Sequence, residues 1–164
     1  MTQKSSFDTA DPITARYYLL TTSLENYIRT QERQFSEQGL KSKHGQKAEA
    51  IKAGDYFLYY LTGLKVFAGS VCIMSSVYRE STRIWRSTTD ETDMYEHRFR
   101  IEPDIVLKNE PFVPIVPVVP DLEFLKKWPP RNYYLGFQGQ IREIPKRDFR
   151  TIRNQLLEKM QVAV

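Results

Sequence analysis

The stretch Tyr56-Phe57-Leu58-Tyr59-Tyr60-Leu61-Thr62-Gly63-Leu64-Lys65-Val66-Phe67-Ala68-Gly69-Ser70-Val71-Cys72-Ile73-Met74 decides the fold. Two largely apolar, aromatic and β-branched runs, 56–61 and 65–74, flank Thr62-Gly63-Leu64, which is the pattern of a hairpin. Neither run alternates with polar residues. Both faces of these strands are therefore predicted to be covered, as in a small closed barrel with flanking helices. Gly69, inside the second run, marks a bulge or a close approach of another backbone.

Working outward, Tyr17-Tyr18-Leu19-Leu20-Thr21-Thr22 reads as a strand, and Ser23 as the N-cap of a short helix to about Phe35 with Leu24, Tyr27 and Ile28 at helical spacing. Gly39 and Gly45 bracket a basic loop, Lys41-Ser42-Lys43-His44; one or two helical turns over 46–51 and a turn at Gly54-Asp55 follow. Beyond the hairpin, Tyr95-Glu96-His97-Arg98-Phe99-Arg100-Ile101 alternates as a half-buried strand, with Tyr95, His97, Phe99 and Ile101 on one face. Pro111, Pro114, Pro117 and Pro120 recur every three residues, but the residues between them are apolar, so an ordered crossing loop is expected rather than a polyproline ligand. Residues 133–140 read as a strand kinked at Gly136 and Gly139. Pro145 then sits at a first helical position, followed by Phe149, Ile152, Leu156 and Met160 on one face of a C-terminal helix. The polar N-terminus, residues 1–14, is expected to be a flexible tail, leaving one domain over 15–161.

At 164 residues, 41% hydrophobic and 27% charged, the composition is that of one soluble globular domain. The aromatic share of 13% exceeds the needs of a core this size and leaves rings for stacking surfaces. No run of eighteen apolar residues and no hydrophobic leader is present, so a cytoplasmic protein without a membrane partner is expected. A single cysteine, Cys72, with His44 and His97 far apart in sequence, supplies neither a disulfide nor a zinc site; no metal and no cofactor is expected. The net charge is +4, but residues 126–153 hold eight basic and two acidic side chains, so a local +6 leaves −2 for the rest. A concentrated patch of that kind attracts polyanions, although a solvated helix face explains it equally well.

No nucleotide-binding loop, no metalloprotease or serine-hydrolase motif and no paired carboxylates on a strand occur, and Asp90-Glu91-Thr92-Asp93 lies in a polar, loop-like setting. An enzyme is not expected. Recognition of an unstacked base calls instead for flat rings and for amides and hydroxyls that meet the base edge. The candidates are Ser23, Asn26, His44, Tyr60, Trp85 and Gln138, with Lys43, Arg142, Lys146 and Arg150 for the adjoining phosphates. Each base-pocket candidate also has a structural reading: Ser23 as a cap, Asn26 as a first-turn helix residue, Tyr60 as a core ring, Trp85 as a lid on apolar surface. His97, on an apolar strand face, reads as a satisfied core histidine.

In order and spacing these pieces resemble the EVE domain family of the PUA-like superfamily. The resemblance runs over about 16–152 and is carried by Tyr17-Tyr18-Leu19, Thr22-Ser23-Leu24-Glu25-Asn26, His44 ten residues before Gly54-Asp55, and Val66-Phe67-Ala68-Gly69. Tyr78 with residues 81–85, Gly139-Gln140-Ile141-Arg142-Glu143-Ile144-Pro145 and Asp148-Phe149 complete it. It implies an α+β fold, a small mixed β-barrel with peripheral helices, and a pocket beside the barrel. It also implies a non-enzymatic reader that holds a flipped or unpaired, modified (methylated) base of DNA or RNA while a basic face contacts phosphates. The chain departs from the family at Gln38, where many members have Trp, and at His97, where many have Tyr. The alternatives are an RNA-binding accessory module without base selectivity and a PUA-like nuclease or base-processing enzyme.

Overall fold

A computed structural model describes residues 14–162; the expected tail, 1–14, lies almost wholly outside them. The central hairpin pairs β3 (Tyr56–Leu61) with β4 (Val66–Ile73), and all six residues of β3 are buried. The reason is coverage from both sides. Tyr56 packs on Phe149 of α3 (Lys146–Val162), ring centroids 5.2 Å apart, while Phe57 meets Phe99 at 5.7 Å and Tyr59 meets Tyr27 of α1 (Leu24–Glu32) at 5.3 Å. Rings facing both ways leave no polar alternation to be read in the sequence.

β1 (Tyr17–Thr22) lies parallel to β3, and β8 (Ile141–Ile144) antiparallel to β1. On the other side β4 pairs with β6 (His97–Val106), which pairs in turn with β2 (Glu37–Leu40). The mixed sheet thus runs β2-β6-β4-β3-β1-β8, with the two-residue strands β5 (Tyr78–Arg79) on β6 and β7 (Val113–Pro114) on β4. It curls until the ends of its two edge strands meet. The backbone N–H of Lys41, just after β2, donates to Oε1 of Gln140, just before β8, at 2.9 Å, and the Gln140 carbonyl accepts from the Thr21 N–H at 2.8 Å. This is the expected α+β barrel with peripheral helices.

Gly69 serves both expectations placed on it. The β3–β4 register slips between Tyr59 and Tyr60, and a Cβ at Gly69 would lie 3.0 Å from the Ile105 carbonyl and the Tyr27 hydroxyl. The proline-rich crossing is ordered, as β7 and a 3-10 run over Val116–Asp121. α2 (Gly45–Ala50) is the short helix after the basic loop, and α3 buries Phe149, Ile152 and Leu156.

Two elements differ from expectation. Residues 133–140 form no strand: Pro130–Phe137 is a 3-10 run entered through Pro129-Pro130, which cannot donate to a ladder. Phe137 stacks on Tyr60 at 3.9 Å and Gly136 closes on Leu125 and Trp128, so the segment covers the sheet while the strand falls on 141–144. The other is β2, four residues with a glycine, which sequence periodicity does not reveal. Its Gly39 is required, because a Cβ there would meet the Trp85 ring and the Tyr95 carbonyl at 2.7 Å.

Candidate nucleic-acid interface

Where the ends of β1, β2 and β3 and the start of β8 converge, the barrel opens into a cleft of about 290 Å³. Thr21, Thr22 and Ser23 form its floor with Asn26, Thr62 and Gln140; Tyr95 and Phe137 bring rings to it, and Lys41, Lys43 and Arg86 bring positive charge. Among the described residues, no carboxylate, thiol or imidazole lines it. Lys43 and Arg86 are exposed, whereas Lys41 sits 3.6 Å from Asp93 and 6.0 Å from the centroid of the Tyr95 ring. The site is thus cationic, with hydroxyls, an amide and two rings, a donor-rich setting for an anionic, partly flat ligand.

Local chemistry explains this assembly. Ser23 Oγ accepts from the Asn26 N–H at 3.1 Å and so starts α1 at the cleft edge. Asn26, 5% exposed, then fastens the opposite wall: its Nδ2 donates to the Arg86 carbonyl at 2.7 Å and its Oδ1 accepts from the Arg86 N–H at 2.9 Å. Burial, followed by the Asp93 charge, pushes the Tyr95 phenol up to about 12. Tyr95 therefore presents a neutral hydroxyl across the physiological range.

Beneath this wall lies Trp85, 3% exposed, whose Nε1 donates to Thr30 Oγ1 at 2.8 Å. The guanidinium of Arg98 covers it at 4.8 Å. Arg98 is 1% exposed; it donates through Nε to the Tyr95 carbonyl and through Nη2 to the Thr82 carbonyl, and stands 3.5 Å from Glu37. It bolts the loop over 80–95 to the barrel.

The candidates named from sequence are thus distributed unevenly. Ser23, Asn26 and Lys43 line the cleft. Tyr60 and Trp85 do not: each is 3% exposed and packed beneath it, Tyr60 against Phe137 and Phe67, Trp85 against Arg98 and Tyr95. A slot between Tyr60 and Trp85 is therefore absent, because both rings are consumed by packing. His44 lies outside the lining, its Nε2 buried without a hydrogen-bond partner among the described residues; burial first, then Lys47, Lys43 and Lys41, hold its pKa below the usual range. Gln138 is exposed outside the lining, and Gln140 occupies the cleft instead.

Arg142 lies on β8 with its guanidinium 5.5 Å from the Trp128 ring, while Lys146 and Arg150 are exposed on α3 away from the cleft. Arg153, counted in the basic excess, is buried in an ion pair with Asp104 at 2.7 Å and is no phosphate contact. His97 is half-buried, with Nε2 3.2 Å from the Ser42 carbonyl. Gln38 turns inward, accepting from the Tyr59 hydroxyl at 2.7 Å and donating to the Gly39 carbonyl. Sequence reading passed over Tyr95, Phe137, Gln140 and Arg86 as pocket residues. Tyr95 carried a signal as the first apolar position of the alternating strand, and Gln140 as part of the motif over 139–145.

No family model matches the chain and no curated protein matches it. Solved structures do. The YTH domain of the Zygosaccharomyces rouxii MRB1 protein in complex with N6-methyladenosine RNA is similar with a TM-score of 0.62 and 18% identity, covering 88% of each chain. The Pho92 YTH domain in complex with m6A is similar at 0.63 and 17%, covering 88% of this chain and 87% of that one. The fold is YTH-like. A protein of Pseudomonas syringae, PSPTO5229, shares it at 0.56 and 13%, covering 85% of this chain and 99% of that one. The small mixed barrel with peripheral helices expected from sequence is therefore the architecture observed. Within this YTH-like barrel the cleft opens at the seam between β2 and β8, beside the N-terminus of α1.

Proposed function

We propose that the chain is a non-enzymatic reader of the EVE branch, holding one flipped or unpaired, modified nucleobase in the cleft between Tyr95 and Phe137. The observation that carries this reading is the lining itself. Two rings, four hydroxyl side chains near the floor, the Gln140 amide and three cations surround a volume at the small end of ligand clefts, about 300 Å³ upward. Such a set can hydrogen-bond a base edge and neutralise phosphates. A modification that weakens pairing lowers the cost of extrusion, and stacking offsets the rest. YTH-like neighbours solved with N6-methyladenosine RNA support RNA as the first ligand to try.

The test is a calorimetric titration of single-stranded RNA and DNA oligonucleotides of one sequence, each unmodified, with N6-methyladenine and with 5-methylcytosine. Tighter binding of a modified strand is expected. Equal affinities for all of them would sink the reader and leave a charge-driven accessory module; strand cleavage or base release by the purified protein would make it an enzyme.

A further inference from the structure

The 3-10 run that delivers Phe137 to the cleft also carries the molecule's most exposed ring among the described residues. Tyr134 is 54% exposed, although ten Tyr, nine Phe and two Trp otherwise go largely to packing. In a 3-10 helix residues three apart eclipse one another, so Tyr134 and Phe137 lie on the same side of the turn, displaced along it by about 6 Å at about 2 Å per residue. That is one nucleotide of extended strand away from a base held against Phe137.

Cations gather along the same run, whose Gly136 abuts Trp128. Trp128, half-buried, has the Lys127 ammonium 4.4 Å and the Arg142 guanidinium 5.5 Å from its ring centroid. Arg131, on the same run but across a kink at Asn132, is exposed and has no ion-pair partner among the described residues. Cations and an exposed ring on one short stretch form the combination that binds single strands without reading their sequence: charge tracks the backbone and the ring takes a base face.

We infer that Tyr134 is a second stacking subsite, which takes the nucleotide next to the extruded base of a single-stranded nucleic acid while Arg131 meets the intervening phosphate. The subsite rests on the proposed reading for its register with the cleft but not for its chemistry. It gives the protein two adjacent base contacts on one short element, one selective and one tolerant of any base.

The experiment compares two probes, the free nucleoside N6-methyladenosine and a nine-nucleotide single-stranded RNA with that base at its centre, against the native chain, Tyr134→Ala, Tyr134→Phe and Arg131→Gln. Tyr134→Ala is expected to weaken the nine-mer about tenfold or more and to leave the nucleoside unchanged, with Tyr134→Phe close to the native chain. Arg131→Gln should weaken the nine-mer alone and flatten its salt dependence. A nine-mer affinity unmoved by Tyr134→Ala overturns the subsite, whatever the nucleoside does. If the nucleoside fails to bind the native chain while Tyr134→Ala still weakens the nine-mer, the subsite stands and the base-reading cleft falls.

Discussion

Asn26 shows how one side chain turns a folding contact into a binding feature. Its amide is committed on both sides, Nδ2 and Oδ1 to the Arg86 backbone and Oδ1 also to Arg29 Nη1, so it shapes the cleft rather than reads a base edge. Asn26→Ala should therefore accelerate hydrogen exchange at the Arg86 amide and weaken oligonucleotide binding together, which amide exchange and titration measure side by side. His44 acts through charge instead. Its pKa is held low in the folded chain, so the unfolded chain binds its proton more readily, and stability present at neutral pH is lost as pH falls below the ordinary histidine value of about 6.5. Thermal melts at pH 7.5 and 5.5 should show a larger drop for the native chain than for His44→Gln; equal drops would place the acid sensitivity elsewhere.

At the scale of elements, α3 is held to the barrel by an apolar stripe and one buried ion pair. Arg153 and Asp104, 4% and 1% exposed, meet at 2.7 and 2.9 Å, and Ser70 donates to the same carboxylate at 2.8 Å. Asp104→Asn leaves the guanidinium without its counter-charge and should cost about 3–5 kcal/mol, read as a lower urea midpoint at unchanged slope. The helix itself was legible from Phe149, Ile152 and Leu156. The burial of Arg153 was not, because a basic residue at helical spacing reads as solvated until the strand carrying Asp104 is placed beside it. The segment 133–140 misleads for a related reason: Phe137 and its aromatic neighbours have strand-like composition, yet their partners are Tyr60, Leu125 and Phe124 on the outer side of the sheet.

For the whole molecule, the distribution of charge governs the approach of a polyanion. Lys43 and Arg86 stand at the cleft, whereas Arg153 is neutralised internally and Arg147 is shared with Glu123 at 3.5 Å. Of the eight basic side chains counted over 126–153, Arg153 is buried and Arg142 half-buried, while the other six are exposed. Removing a cation at the cleft, by Lys43→Gln, should lower the slope of log affinity against log salt by about 0.7–1 without altering the preference between modified and unmodified strands. Isothermal titrations at several salt concentrations give both numbers, and a changed preference would make Lys43 a reader of the base.

What the sequence determined by itself was the barrel. Continuous apolarity in two strands, alternation in a third, the Ser23 cap and the stripe of the last helix are local patterns that physics reads one residue at a time. It also carried the order of motifs from which the PUA-like architecture follows. The identity of the cleft walls came only with the tertiary structure. Tyr60 and Trp85 are as flat and as aromatic as Tyr95 and Phe137, and no local rule separates a ring that fills the interior from one that borders an opening. The difference is made where the curled sheet brings strands 17–22 and 141–144 together: Tyr60 and Trp85, 3% exposed, lie below that seam, whereas Tyr95 and Phe137, 7% exposed, border the opening.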